Sequence, residues 1–168
     1  HDLGNINFSF ITNLDEESGF TINDFVQPII RALASMGITA SADGRNDITV
    51  DGRKISGNAQ RLYKNRILHH GTLLFDSNVK KISSSLKVKP EKFTSKSTKS
   101  VESRVANISD YLPEGTTIND FREMLLKSIR TESDIDEYKL SDEEIREVTE
   151  LSKKYAESAW TFRNAQPM

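Results

Sequence analysis

The sequence predicts an α/β (α+β) fold, a mixed β-sheet with helices packed on it and a helical C-terminal tail. Three observations carry this expectation. Alternating apolar runs and one strong hairpin signal lie between Asn7 and Phe75, a stripe at helical spacing separates the first run from the others, and beyond Asp110 the chain turns acidic and helical. With 168 residues, 36% of them apolar, the chain can bury one core. Residues 1–112 are expected to form that core, and residues 113–168 a helical extension of the same domain.

In the first run, Asn7 to Ile11, Phe8 and Phe10 share one side of a strand, and Thr12 to Ser18 reads as the loop after it. Phe25, Val26, Ile29, Ile30 and Leu33 then recur as on one face of a helix, which Gly37 ends; Pro28 is expected to fit only a first turn. Ile38 to Phe75 supplies the sheet. Within it Asp51-Gly52 is a type I′ hairpin signal, and a two-residue loop would pair Val50 with Arg53, Thr49 with Lys54, Ile48 with Ile55 and Asp47 with Ser56. By alternation Ile48, Val50 and Ile55 share one face, and Asp47, Thr49, Lys54 and Ser56 share the other. A further strand, Ile67 to Phe75, follows a turn near Lys64-Asn65. Its neighbours His69 and His70 point to opposite faces and are poorly placed to chelate one metal.

From Lys80 to Arg104 the composition shifts to Lys and Ser, with Glu91 and Glu102 as its acids, and the plain reading is a solvated loop flanked by short helices. Thr117 caps a helix carrying Ile118, Phe121, Leu125 and Ile129. Ser141 with Glu144 forms a capping box for a helix carrying Ile145, Val148, Leu151 and Tyr155. No internal repeat is expected.

Lys plus Arg number 23 against 25 Asp plus Glu, so the net charge of -2 argues against a nucleic-acid partner. The absence of Cys excludes disulfides, thiolate zinc sites and cysteine nucleophiles, and fits a cytoplasmic location. No apolar run reaches the roughly 18 residues of a membrane span, so no membrane partner is expected. The chain opens on His1 and enters a strand-like run almost at once, as an excerpt of a longer protein would.

Phosphate-binding Gly-x-x-x-x-Gly-Lys, Gly-x-Ser-x-Gly and His-Glu-x-x-His signatures are absent, and Asp15-Glu16-Glu17 reads as a solvated loop. The polar hairpin face draws attention instead. There Lys54 is flanked by Asp47 and Ser56, with Gly57 beyond leaving room for a ligand. A strand lysine facing a cleft is a compact cation for carboxylate or phosphate oxygens, although an ordinary solvated strand face has the same composition. His69 and His70 likewise read as strand histidines in or beside the core, with Gly71 opening space next to them.

His1-Asp-Leu-Gly-Asn5, Gly44-Arg-Asn-Asp47, Asp51-Gly-Arg-Lys-Ile-Ser-Gly57 and His69-His-Gly-Thr-Leu-Leu74 occur in the order and spacing of the lipoate-protein ligase family. The resemblance continues through Ser95-Lys96 and Lys99 to Asn107 and ends weakly at Trp160. It implies a class II synthetase/biotin ligase-like fold and a two-step reaction, in which ATP activates lipoate to lipoyl-AMP and the acyl group passes to a carrier lysine. Lys54 matches the family's catalytic lysine. By the same resemblance His1, Asn5, Asn46, Asp47 and Lys54 would contact ATP or the adenylate. Lys54, Ser56, Gly57 and His70 would border lipoate, with His69 facing away, and Asp47 would help to hold Mg2+.

The implied partners are lipoyl carrier domains of 2-oxoacid dehydrogenase complexes and the glycine cleavage H protein. Carrier domains tend to be acidic around the acceptor lysine, so Lys89, Lys92 and Lys96 are candidate docking charges. The family's Arg-Arg-x-Ser-Gly-Gly-Gly stretch, expected directly before His1, and its C-terminal accessory domain are both absent, so this span by itself is expected to be inactive. Ser97-Thr98 also replaces the usual Gly-Ile. The competing classes are a lipoyl or octanoyl transferase using a pre-activated acyl group, and a non-catalytic carrier-docking module.

Overall fold

The computed structural model describes residues 3–14, 21–44, 46–79, 104–132 and 135–162. Its elements run β1 (Asn5–Asn13), α1 (Ile22–Ser35), β2 (Ala40–Asp43), β3 (Asp47–Val50), β4 (Arg53–Tyr63), β5 (Arg66–Leu74), a 3-10 turn (Ile108–Tyr111), α2 (Ile118–Glu132), α3 (Asp142–Ala156) and α4 (Ser158–Thr161). The chain divides into two compact units, His1–Ser133 and Asp134–Met168.

The first unit is built on a five-stranded sheet ordered β1-β5-β4-β3-β2. Its strand pairs are antiparallel, and an isolated parallel bridge from Lys54 to Val105 extends it beside the start of β4. β1 reaches Asn13, so Thr12 belongs to the strand and not to the loop after it.

The β3–β4 turn has φ of 51° at Asp51 and 70° at Gly52, the left-handed pair that a type I′ turn requires. Val50 pairs with Arg53 and Thr49 with Lys54 as expected. The next rungs differ: Ile48 faces Ser56 and Asp47 faces Gly57, so the expected pairs Ile48–Ile55 and Asp47–Ser56 do not form. Ile55 is the extra residue of a β-bulge, and beyond it every β4 side chain points to the face opposite to the one simple alternation assigns. The bulge is compatible with the core because Ile48, Ile55 and Ser56 are all fully buried, and β4 then pairs with β5 without a break from Ser56–Leu73 to Tyr63–Arg66.

One sheet face is covered. Ile6, Phe8 and Phe10 of β1, Leu73 of β5 and Ile48 of β3 pack in one core with Val26, Ile29 and Leu33 of α1 and with Phe121 and Leu125 of α2. Phe121 stacks on Phe75 with ring centroids 5.2 Å apart. The amphipathic stripe of α1 is thus the one the sequence announces, and the ends of the helix are set by local chemistry. The Thr21 N–H donates to Asp24 Oδ2 (2.7 Å) at its start. At its end Gly37 (φ 83°) and Ile38 donate to Ala34 O and Leu33 O, both at 3.0 Å, the paired bonds of a Schellman motif.

Pro28 departs from expectation, since it lies well inside α1. It forfeits one helical hydrogen bond, a cost of about 3 kcal/mol in a helix interior. Burial of Phe25, Val26, Ile29, Ala32 and Leu33 on the same helix opposes that cost. A second departure concerns repeats. Thr-Ile-Asn-Asp-Phe opens both α1 (Thr21–Phe25) and α2 (Thr117–Phe121), and both copies use the Asp to bond the Thr N–H, at 2.7 and 2.9 Å. Each copy also delivers its Phe to the interior.

In the second unit, Ser141 caps α3 and the Ser141 N–H donates to Glu144 Oε2 at 2.8 Å, the expected capping box. The Tyr138 hydroxyl also donates to Glu144 (2.8 Å), and Tyr155 meets Trp160 edge-on at 4.6 Å. No residue of α3 is buried, and Ile145, Val148, Leu151 and Tyr155 are exposed. Among the described residues no helix is long and apolar enough to cross a membrane.

Candidate functional site

Lys54 lies one residue into β4, immediately after the tight turn. Both of its main-chain groups are engaged: its N–H donates to Arg104 O (2.8 Å), and its carbonyl accepts from the Ala106 N–H (3.0 Å). Next to it Arg53 Nη2 donates to the Tyr111 hydroxyl at 2.7 Å, tying the hairpin to the 3-10 turn. With the backbone held this way, the side chain has a defined direction.

That direction is toward Asp47. Lys54 Nζ and Asp47 Oδ1 are 2.7 Å apart, with side-chain exposures of 39% and 33%. Gly57 pairs with Asp47, and a Cβ built on Gly57 would lie 3.1 Å from Lys54 Nζ and 3.2 Å from Cε. A larger residue would push the ammonium aside, so glycine at this position preserves its aim. The bulge at Ile55 is what brings Gly57 onto the face that Asp47 and Lys54 share.

This face is the one opposite α1. Continuing across it, Gly57 pairs with Thr72 and Ala59 with His70, while Asn7 and Ser9 of β1 pair with Thr72 and His70. Asn7, Ser9, Ala59 and His70 are exposed. The result is an open polar strip with the Lys54–Asp47 pair at one end and His70 farther along.

Ser56 is not part of the strip. Simple alternation puts it beside Lys54, but the bulge turns it to the covered face, where it is fully buried and its Oγ accepts from Asn58 Nδ2 at 3.3 Å. His69 also lies on the covered face, opposite His70 as expected. It stacks on Phe25 (5.1 Å, interplanar angle 9°) and lies 6.1 Å from Phe8 and 6.4 Å from Phe10, centroid to centroid. Burial, and to a smaller extent the charge of neighbouring His70, hold the His69 pKa below its ordinary 6.5. The space expected at Gly71 is already filled: a Cβ there would collide with Asn58 Oδ1 and the Phe8 ring.

The remaining candidates are placed as follows. Asn46, exposed, sits in the corner before β3, and its Nδ2 donates to Asn58 O at 2.9 Å. Asn5 opens β1, and its Oδ1 accepts from the Ser77 hydroxyl at 2.9 Å. Ser77 is in turn bracketed by Asn107, which accepts from the Ser77 N–H and donates to its carbonyl, both at 3.0 Å. His1, Asp15-Glu16-Glu17 and the lysines at 89, 92 and 96 lie outside the described residues. The structure therefore gathers Asn46, Asp47, Lys54 and Gly57 at one corner and places His70 on the same open face.

Asn58 was not among the sequence candidates. It is buried and bonded to Asn46, Ser56 and His69. The one available signal was an Asn amid the small and apolar residues of a strand, and without the bulge that signal points to the wrong face.

Among the described residues the sheet is antiparallel and carries helices on one face, and this fold is shared with biotin and lipoate ligases of known structure. Biotin protein ligase from Aquifex aeolicus shares the fold (TM-score 0.51, 18% identity, 76% of this chain and 52% of that one). A closer likeness is the structure of a bi-partite lipoate protein ligase and its E2 lipoyl domain from Thermoplasma acidophilum, with a TM-score of 0.74 and 28% identity over all of this chain and 68% of that one. The chain belongs to the family described as the lipoyl protein ligase A/B catalytic domain, whose model matches residues 1–130. In sequence it is similar to the lipoate-protein ligase LplJ of Bacillus subtilis, 48% identical across 96% of this chain. The chain spans about half the length of the curated relatives it matches.

Proposed function

We propose that this chain provides the catalytic core of an ATP-dependent lipoate-protein ligase, which activates lipoate to lipoyl-AMP and transfers the lipoyl group to a lysine of carrier domains. The observation that carries the reading is Lys54, held by backbone bonds at the rim of an open sheet face with its ammonium aimed along Asp47 and Gly57. Relatives named as lipoate-protein ligases support the substrate class.

In the first step a carboxylate oxygen of lipoate attacks the α-phosphorus of ATP. The bond from that phosphorus to the bridging oxygen breaks, and pyrophosphate leaves. In the second step the acceptor amine attacks the acyl carbonyl, the bond to AMP breaks with its electron pair going to the AMP oxygen, and the amine gives up a proton. Both steps build negative charge on oxygens. A preorganised ammonium between the lipoyl carbonyl and the α-phosphate offsets that charge and keeps the reacting groups in line. Lys54 takes this role, with Asp47 holding it in position and Asn5 and Asn46 as contacts to the adenylate. Gly57 and His70 line the path of the acyl group.

Mg2+ commonly binds through one or two carboxylates together with substrate phosphates. Among the described residues no group of three or more His, Cys, Asp or Glu could hold a metal by itself. Asp47 lies at this corner with Asp43 of β2 as its cross-strand partner, and a carboxylate so placed fits an ion carried by the nucleotide. Such an ion would supply further neutralisation of phosphate charge.

The carrier domains proposed are those of 2-oxoacid dehydrogenase complexes and the glycine cleavage H protein; the E2 lipoyl domain named with the Thermoplasma ligase supports the first of these. The reading is tested on the full-length protein by lipoate-dependent exchange of pyrophosphate into ATP, followed by acyl transfer to a lipoyl domain. Both activities are expected. Transfer from supplied lipoyl-AMP without exchange would replace the ligase with a transferase, and loss of both with carrier binding retained would leave a docking module.

A further inference from the structure

We infer that the buried residues Asn58 and His69 act as positioning residues, forming a hydrogen-bonded relay that sets the Asn46–Asp47 corner from the covered side of the sheet and through it the nucleotide end of the site. The inference rests on the ligase reading and deepens it.

The relay begins at the corner. The Asn46 carbonyl accepts two bonds from one residue, the Asn58 main-chain N–H at 2.8 Å and Asn58 Nδ2 at 3.0 Å. Asn46 Nδ2 returns a bond to Asn58 O at 2.9 Å. Three hydrogen bonds thus join Asn46 to Asn58, and the next residue after Asn46 is Asp47, the partner of Lys54.

Bond polarity then determines the rest. Asn58 Nδ2 faces a carbonyl and must donate, so Oδ1 is the atom turned to His69 Nε2, 3.3 Å away. An amide oxygen only accepts, and Nε2 must therefore carry the proton. Neutral His69 then has a bare Nδ1, which accepts from Gln60 Nε2 at 3.2 Å. Every donor meets an acceptor from Gln60 through His69 and Asn58 to Asn46, and no buried side-chain nitrogen or oxygen in the described residues lacks a partner.

Two packing features hold the relay rigid. Phe25 of α1 stacks on the imidazole, and Gly71 lets both the Phe8 ring and Asn58 Oδ1 occupy the space a side chain would fill. A histidine serving only to fill an aromatic box is replaceable by an apolar residue. A histidine that orients Asn58 is replaceable only by a residue that still donates at the same place.

The test compares His69→Gln with His69→Leu in the full-length protein. Glutamine can donate to Asn58 and accept from Gln60; leucine can do neither, yet suits the aromatic surroundings better. The leucine variant is expected to raise KM for ATP about tenfold, as losing one hydrogen bond's worth of positioning does, with a smaller rise in KM for lipoate through Lys54 and the glutamine variant near wild type. Gln60→Leu, at the half-buried end of the relay, should shift KM for ATP the same way by a smaller factor, and stands in for the leucine variant should that not fold. Amide exchange at Asn58 should quicken in the leucine variant and stay slow in the glutamine one. Leucine matching or bettering glutamine in KM for ATP and in amide exchange would overturn the relay. An inactive wild type with the same amide-exchange contrast would overturn the ligase reading and leave the relay as a structural fact about the corner.

Discussion

The sheet has two hairpins closed by two-residue turns, and they behave differently beyond the turn. After Asp51-Gly52, both residues left-handed, the β3–β4 ladder runs for two rungs and then breaks at the Ile55 bulge. After Lys64-Asn65, with Lys64 left-handed at φ 52°, β4 and β5 pair without interruption. Solvation separates them. Leu62, Tyr63 and Lys64 at the second turn are exposed, whereas Ile48, Ile55 and Ser56 just past the first turn are fully buried. Where strands are solvated the turn sets the register; where they enter the core, packing does.

Removing what the first hairpin delivers has the largest expected effect. Lys54→Met should reduce adenylate formation by about 3 to 4 kcal/mol of transition-state stabilisation, with melting near wild type because the side chain is part-exposed. Exchange kinetics together with a melting curve check this, and a rate within a few-fold of wild type would remove Lys54 from its role.

Turn chemistry comes next. Gly52→Val places a β-branched residue at φ 70°, which should lower stability by about 1 to 2 kcal/mol and disturb Lys54 as well. Denaturant titration and pyrophosphate exchange on the same variant measure the two effects. A variant unchanged in both would mean that the first turn does not aim the lysine.

A smaller, pH-dependent effect belongs to His69. Its folded pKa is depressed, so the unfolded chain binds the proton more readily, and folding stability falls as pH drops below the ordinary value of 6.5 toward the folded one. Above 6.5 the contribution is fully present. Melting temperature should decline through that window in the wild type and decline less in His69→Gln; parallel pH curves would show that His69 is not the group responsible.

The second hairpin gives the smallest expected change. Lys64→Gly relieves a left-handed lysine while adding freedom to the unfolded chain, effects of about 1 kcal/mol that oppose one another. Stability close to wild type with full pyrophosphate exchange is the expected outcome, and a marked loss of activity would mean that the two hairpins are not independent.

The sequence by itself determined much of what is local. The Asp51-Gly52 turn, the apolar stripe of α1 with its Gly37 stop, and the Thr117 and Ser141 caps each depend on a few neighbouring residues whose backbone preferences and hydrogen bonds are the same in any fold. The motif spacing that resembles the lipoate ligases was legible for the same reason, and it pointed to Lys54, Asp47 and Gly57 before any contact was known. Tertiary structure decided which side of the sheet each of these residues occupies. Ser56 left the Lys54 face, Asn58 became the buried partner of Asn46, and Pro28 was accommodated inside a helix. Each outcome depends on burying Ile55, Phe25 or Ile29 against residues distant in sequence. Side-chain alternation has a period of two, so one bulged residue reverses every later assignment, and the free energy that favours the bulge comes from a core that no short window of sequence contains.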